Sequence, residues 1–334
     1  MSRPTMNDVA EAAGVSRATV SRALSGHPSV SAELRASIEQ SARDLGYARN
    51  PLVSALMSQR RGRGPEGEIG TLAYLQSHSE KELRGGIYER YRQGALERAK
   101  EQGYLIECFP LGPEGLTPER LRTILRTRGI RGLCLGPMRR PHARLRMNLD
   151  GFAVAAIGVS LAFPRLHRAS IDHPGNAALA LRRLRHAGHT RIGVCLEEVT
   201  SGRGNDGWLS AFFIERHHHP ERQYPLLMTP RVDGARLQSW IESEKPEVIL
   251  CDTDLWPKSL AGLKGKRAVL PPFVYLNLPP GVENAIGINQ NAERVGAAAI
   301  DHVIAQLHRN ESGIPAHPKT TLIEGKYSDG SGCI

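Results

Sequence analysis

From residue 69 onward, short apolar runs alternate with amphipathic stretches, and no other feature restricts the fold as strongly. The runs lie at 69–75, 104–109, 132–135, 153–157, 192–196 and 248–251. Helical patterns at 88–102, 118–128, 176–187, 206–216 and 234–244 fall between them, and a last helix at 292–308 precedes a strand at 320–323. The runs are apolar almost throughout rather than at every second position. A strand of that kind is buried on both faces, which requires a parallel sheet covered by the helices that connect its strands. Roughly 265 residues of this rhythm exceed one comfortable sheet, so two lobes are expected.

The chain before this region has a different character. Residues 1–46 carry helix caps and almost no strand signal, and 60–68 read RRGRGPEGE, a Gly-, Pro- and charge-rich linker. Thr5 with Asp8 has the spacing of a capping box, in which the first-turn acid satisfies free backbone N–H groups. Met6, Val9, Ala10 and Ala13 follow at helical spacing, and Gly14 stands where a left-handed residue ends the helix. Ser16 caps a second helix running from Arg17 to about Leu24. The turn between the two is only about three residues, as a helix-turn-helix requires.

At 100° per residue, Arg17, Ala18, Ser21, Arg22 and Ser25 share one face of the second helix, and Val20, Ala23 and Leu24 share the other. The apolar face can dock on the first helix. The polar face then offers two guanidinium groups on a rod that fits the major groove, where Arg can bond guanine O6 and N7 in pairs. Thr19 and Ser16, near the helix N-terminus, suit phosphate. A third helix is expected after Ser31, with Leu34, Ile38 and Leu45 as its apolar stripe and Gly46 at its end. Residues 50–57, NPLVSALM, have a good cap and a favoured first-turn proline but are too short to be helical alone in water. A partner must stabilise them.

Lys and Arg number 44 against 34 Asp and Glu, a formal charge of +10. The excess favours a polyanionic partner. No run approaches the roughly 20 apolar residues of a membrane span, and the first residues lack the apolar core of a secretory signal, so a cytoplasmic protein without membrane contact is expected. The five cysteines are dispersed, with no CxxC, and read as buried core thiols. His217, His218 and His219 lack a Cys or acidic partner at ligand spacing, so no metal is expected. The stretch 202–207, GRGNDG, lacks the Lys-Ser/Thr ending of a phosphate-binding Walker loop and reads as a loop over a ligand cleft. No catalytic residues and no cofactor are inferred, and the chain is not read as an enzyme.

The run from Thr5 to Pro51 resembles the head of the lactose-repressor (LacI/GalR) family. The matching residues are Asp8-Val9-Ala10, Ala13-Gly14-Val15-Ser16, Thr19-Val20-Ser21-Arg22, Val30-Ser31, Leu45-Gly46-Tyr47 and Asn50-Pro51. The remainder is similar, more weakly, to the family's periplasmic-binding-protein-like sensor, at Ile69-Gly70, Ile171-Asp172, the run 187–192, Gly207-Trp208 and Asp254. The resemblance implies an all-α helix-turn-helix head (1–49), a hinge helix (50–58), a linker (59–68) and an α/β two-lobed effector-binding and dimerisation domain (69–334). The implied function is a transcription regulator, a repressor that binds palindromic operator DNA as a homodimer under control of a small-molecule effector such as a carbohydrate. By the same resemblance Arg17, Ala18 and Arg22 read bases. Thr5, Ser16, Thr19, Ser21, Ser31 and Asn50 hold phosphates or fix position, and Leu56 is the minor-groove wedge.

The effector positions depart from the family's pattern. Gly204 stands where sugar-binding members usually carry Arg, Thr253-Asp254 replaces an Asn-Asp pair, and Asn277-Leu278 replaces an acidic pair. Asp172, Arg203, Asn205, Asp254 and Asn277 remain as effector candidates. That leaves open an effector other than a simple sugar, and a sensor without one.

Overall fold

A computed structural model describes residues 5–24, 29–45, 69–111, 116–252, 270–279, 282 and 284–331. The chain forms two compact units, one within residues 1–69 and one from Gly70 onward.

The first unit is three short helices: α1 (Met6–Ala12), α2 (Arg17–Leu24) and α3 (Ala32–Asp44). The Asp8 carboxylate accepts from the Thr5 backbone N–H at 2.6 Å and from its hydroxyl at 2.9 Å, closing the start of α1. Gly14, at φ +62°, turns the chain after it. Ser16 Oγ accepts from the Thr19 N–H at 3.1 Å at the start of α2, and Ser31 Oγ accepts from the Leu34 N–H at 3.3 Å to cap α3. Val9, Val20 and Ile38 are fully buried at the centre, ringed by Ala10, Ala23, Val30 and Ala42. The expected stripe on α3 is corrected in part. Ile38 faces the core, but Leu34 and Leu45 are exposed. They sit at the two ends of the helix, beyond the small core, and Ala42 takes the inner position one turn after Ile38.

The second unit holds two six-stranded sheets. Its chain order is β1 (Gly70–Gln76), α4 (Glu80–Leu83), α5 (Ile87–Glu101), β2 (Tyr104–Pro110), α6 (Pro118–Thr127), β3 (Gly132–Leu135), β4 (Ala143–Arg144), β5 (Ala153–Ile157), β6 (Leu161–Phe163) and β7 (His167–Ile171). It continues with α7 (His173–His186), β8 (Ile192–Glu197), α8 (Glu198–Arg203), α9 (Gly207–His218), β9 (Leu226–Thr229), α10 (Gly234–Glu244), β10 (Val248–Cys251), β11 (Phe273–Tyr275), β12 (Ile286–Asn289), α11 (Ala292–Arg309), β13 (Thr320–Ile323) and β14 (Lys326–Asp329). The first sheet runs β13-β7-β5-β3-β1-β2 and is wholly parallel. The second runs β14-β12-β11-β10-β8-β9 and is parallel except for β14, which pairs antiparallel with β12. β4 and β6 form a separate two-stranded ribbon.

Both faces of each sheet are covered, as the continuous apolar runs require. In the second sheet Val194 and Leu250 pack under α7 and α9 with Leu181, Trp208 and Phe212. Their chain neighbours Cys195, Ile249 and Cys251 face the other way, toward Leu237 of α10. On one face of the first sheet, Leu121 and Leu125 of α6 pack on Leu75, Leu133 and Val154 with Leu145, Leu149, Leu161 and Leu166. On the opposite face α5 and α11 cross at near backbone contact. A Cβ on Gly94 would stand 1.9 Å from the Glu293 carbonyl oxygen, and one on Gly296 would stand 2.0 Å from the Tyr91 carbonyl oxygen.

Among the cysteines, Cys134, Cys195 and Cys251 are buried, and burial pushes the Cys195 thiol up to about 12. Cys108 departs from the expectation and is exposed, because β2 is the edge strand of its sheet. Cys333 lies outside the described residues. No described helix is long and apolar enough to cross a membrane.

Gly94→Ala should lower stability by at least the ~1–3 kcal/mol typical of overpacking, because the obstacle is backbone and cannot rotate away. Thermal unfolding of the full chain checks this, and an unchanged midpoint would contradict the close crossing.

Candidate nucleic-acid and effector sites

The two faces of α2 divide as its sequence requires. Val20 and Ala23 are buried, whereas Arg17, Ala18 and Arg22 are exposed and Ser21 is half-buried between them. The Arg22 Nε donates to the Ala18 carbonyl at 3.3 Å, so its stem lies along the helix. The Ser16 and Thr19 hydroxyls lie 2.8 Å apart at the N-terminal end of α2. Backbone N–H groups and hydroxyls at such an end can receive a phosphate oxygen. Thr5 and Ser31 are likewise exposed, each already occupied in closing a helix. The head thus presents a surface of guanidinium and hydroxyl groups supported by an aliphatic underside.

The second candidate site lies where the two lobes face each other. The chain passes from one sheet to the other after β7, after β12 and after β13. These passages are tied together: the Asp172 N–H donates to the Ile323 carbonyl at 3.0 Å, the Asn291 amide to the Glu324 carbonyl at 2.8 Å, and the Gly325 N–H to Asn176 Oδ1 at 2.8 Å. The carboxyl ends of the parallel strands open on this edge, the usual place for a ligand in sheets of this kind. From the first lobe, Tyr88 stacks on His78 with ring centroids 4.0 Å apart and planes 19° from parallel. From the second, the Arg203 guanidinium lies over the Tyr88 ring, 5.5 Å from its centroid. Burial, and then the neighbouring Tyr88, push the Tyr91 phenol well up, while Asp252 raises it further and Arg203 lowers it, each to a smaller degree. Among the buried polar atoms of this region that lack a hydrogen-bond partner in the described residues are His78 Nε2, Arg203 Nε, Asn277 Oδ1 and Gln290 Oε1, with His173 Nδ1, Asn176 Nδ2 and Trp208 Nε1 at the passage beside them. A buried polar atom without a partner costs about 1–3 kcal/mol, so such atoms in a cleft mark places for ligand groups.

Residues 5–50 match the family model described as bacterial regulatory proteins, lacI family. That match covers the head alone. The HTH-type transcriptional regulator CelR of Thermobifida fusca is 29% identical over 195 residues, covering 57% of this chain and 54% of CelR. The chain spans about half the length of the curated relatives it matches. Among solved structures, a transcriptional regulator CelR–cellobiose complex superposes with a TM-score of 0.55 over 99% of this chain and 100% of that one, at 20% identity. A lac repressor dimer bound to operator and the anti-inducer ONPF superposes with a TM-score of 0.51 over 98% and 99%, at 16% identity. These two likenesses establish the fold alone: a helical head followed by two α/β lobes. The relatives named here are regulators rather than enzymes.

Not every candidate of the lacI-family pattern meets in one place. Asn50, Leu56, the hinge 50–58, the linker 59–68 and Asp254 lie outside the described residues. Asp172 sits at the first lobe passage, where its Oδ1 accepts from the Gly175 N–H at 3.0 Å and caps α7. Its neighbour His173 packs edge-on against Trp208 and beneath Gly204 and Gly207, so Asp172 and the 203–207 turn share a neighbourhood. That turn is partly helical, not the open loop its composition suggested: Arg203 closes α8, and Asn205 and Asp206 follow at φ +52° and +54°. Asn205 is exposed there. Asn277 lies beside Gln290, whose amide donates to the Leu276 carbonyl at 2.6 Å. Sequence reasoning did not select His78, Tyr88, Asp252 or Gln290. Their shared signal is position, since His78, Asp252 and Gln290 each stand just past the carboxyl end of a strand.

Burial, and then the positive charge of Arg203, hold the His78 imidazole down to about 4. A folded-state value below the unfolded value near 6.5 means that stability is intact above about pH 6.5 and declines as pH falls toward 4. The sensor should lose up to ~1.4 kcal/mol per pH unit through this residue in that window. His78→Gln should flatten the profile; identical slopes for the two proteins in thermal unfolding between those pH values would contradict the assignment.

Proposed function

We propose that this chain is a sequence-specific DNA-binding transcription regulator, a repressor whose hold on a palindromic operator is set by a small molecule bound between its lobes. The observation that carries the reading is the two-sided α2: guanidinium groups outward, a fully buried valine beneath, in a head whose sequence is of the lacI family. On this reading Arg17, Ala18 and Arg22 meet base edges in the major groove, where Arg pairs with guanine and a small apolar side chain can lie against a thymine methyl. Ser16, Thr19, Ser21, Thr5, Ser31 and Asn50 hold the backbone, and Leu56 enters the minor groove as a wedge. Two heads of a homodimer meet the two half-sites; the lac repressor likewise is bound to its operator as a dimer. The chain works as a cytoplasmic regulator and catalyses no reaction.

The effector is of the carbohydrate class. The cleft supports this with stacked Tyr88 and His78, one guanidinium, one carboxylate and two amide oxygens, a mixture of donors and acceptors suited to hydroxyl groups on a ring. Cellobiose in the CelR structure is a ligand of that protein and sets the chemical class to try first. Effector binding between the lobes shifts the geometry of the dimer and thereby the hinge, with a coupling of about 1–3 kcal/mol.

Selection of bound duplexes from a random pool, with the full chain, tests the function. Arg22→Ala should weaken binding to the selected duplex by about 1–3 kcal/mol and relax base preference at one position per half-site. If that variant bound as tightly and as selectively as wild type, the role of Arg22 would be wrong. Arg203→Leu should lower the affinity of whichever saccharide stabilises the wild-type chain by about 10-fold or more, the weight of a hydrogen bond to a charged group. An unchanged saccharide-induced thermal shift would remove Arg203 from the site.

A further inference from the structure

The positive charge of this chain is not spread over it. Between residues 116 and 171 there are eleven arginines and no lysine, against Glu119 and Asp150, a net +9 where the whole sequence carries +10. Strands β3, β5 and β7 of this segment run through the sheet itself; the rest of it, α6, the β4–β6 ribbon and their connections, covers the sheet face opposite α5 and α11.

The segment is built so that the arginines point away from the core. In α6, Leu121 and Leu125 are fully buried while Arg120 and Arg126 are exposed. From Ala143 onward the chain is extended and alternates: Leu145 and Leu149 are buried, and Arg144 and Arg146 are exposed. Arg144 pairs in register with Phe163 of β6, itself 57% exposed, and Arg165 follows on the same outer strip. Arg122 ties helix to strip by donating to the Asn148 carbonyl at 3.2 Å, so the surface is continuous. Two arginines are paired with acids, Arg139 with Glu82 at 2.7 Å and Arg128 with Glu107. Among the described residues no carboxylate lies within ion-pairing distance of Arg120, Arg126, Arg140, Arg144, Arg146 or Arg165.

A solvated protein face ordinarily intersperses the two signs, because like charges held together destabilise the folded state. A face from which acids are nearly absent accepts that repulsion and is relieved by a polyanion. The side chain used is Arg throughout, whose planar fork matches a phosphate with two parallel hydrogen bonds.

We propose that the arginine face of the first lobe, formed by α6 and the β4–β6 ribbon, is a second DNA contact that grips the phosphate backbone of duplex flanking the sequence held by the head. The inference rests on the DNA-binding reading of the head. Because head and lobe are one chain, contacts too weak to act alone add avidity once the head is bound. The contact reads no sequence; its energy is counterion release, so it appears as an extra dependence on salt.

The test uses the full chain and two duplexes carrying the same pool-selected sequence, one of about 20 bp and one of about 60 bp, titrated across a range of KCl. The variants are the triple Arg144→Gln/Arg146→Gln/Arg165→Gln and its charge-preserving counterpart with Lys at the three positions. All three positions are exposed, so both variants should fold. On the long duplex the Gln triple should bind about 10-fold or more weakly near physiological salt, with a log–log salt slope shallower by about 2–3, since each phosphate neutralised contributes about 0.9. On the short duplex it should match wild type, and the Lys triple should match wild type on both.

Equal slopes for wild type and the Gln triple on the long duplex would overturn the proposal. So would equal losses on both duplexes, which would make the effect general rather than flanking. Unchanged DNA binding with lost binding to poly-glutamate would assign the face to an acidic protein and equally overturn it, in keeping with the exposed Phe163. Failure of the head reading looks different: wild type then selects no sequence from the pool and binds neither duplex, and both readings fall together.

Discussion

The parallel arrangement of the strands is the constraint from which the rest of the sensor follows. Parallel neighbours cannot be joined by a tight turn, so each pair needs a crossover, and the helices that make the crossovers bury both sheet faces. Every strand of the first sheet then ends at the same edge, and that edge is where the chain leaves for the second sheet. Three passages at Asp172, Gln290 and Glu324 hold the two carboxyl edges against each other, bound together through Asp172, Asn176 and Asn291. A cleft at this position results from the connectivity. What the cleft can bind depends on the few residues that stand just beyond strand ends.

Those residues carry the chemistry by leaving polar atoms unsatisfied in a buried setting. Gln290 is fully buried, its amide nitrogen spent on the Leu276 carbonyl and its oxygen without a partner among the described residues. Burial and the positive charge of Arg203 keep His78 neutral, with Tyr88 stacked on its ring. In the head the division of labour is reversed. Its polar groups lie outside, and Ser16, Ser31 and Thr5 first complete helix ends before they can meet anything else. One chain thus places a dry, partly unsatisfied site between lobes and a wet, cationic surface on its smallest unit. The arginine strip of the first lobe has the character of the head rather than of the cleft.

Legibility in the sequence varied with how local the signal was. The helix faces of α1 and α2, the caps at Thr5, Ser16 and Ser31, and the turn at Gly14 are set within a few residues, and each stands in the structure where its pattern put it. The buried strands β1, β3, β5, β8 and β10, and the partly buried edge strand β2, were readable from continuous apolar runs. The strands β7, β11, β12 and β14 were not. His167 and Ser170 look polar, yet β7 is buried in the sheet, with His167 Nδ1 accepting from the Lys319 N–H at 3.0 Å and the Ser170 hydroxyl donating to the Ile171 carbonyl. β11 is only three residues long, and β14 runs antiparallel with half its residues exposed.

By itself the sequence determined the architecture and the two-faced second helix of the head, because periodicity, capping and apolar runs act over one turn or one strand. Only the tertiary structure decided which polar residues meet between the lobes. His78, Tyr88, Arg203, Asp252, Asn277 and Gln290 span more than two hundred positions, and no local pattern joins them. Only the tertiary structure, too, showed that arginines from α6 and from the β4–β6 ribbon share one face. The physical reason is the same in both cases: a side chain's partners are set by how strands are ordered in a sheet and where the chain crosses, and those depend on the whole packing at once.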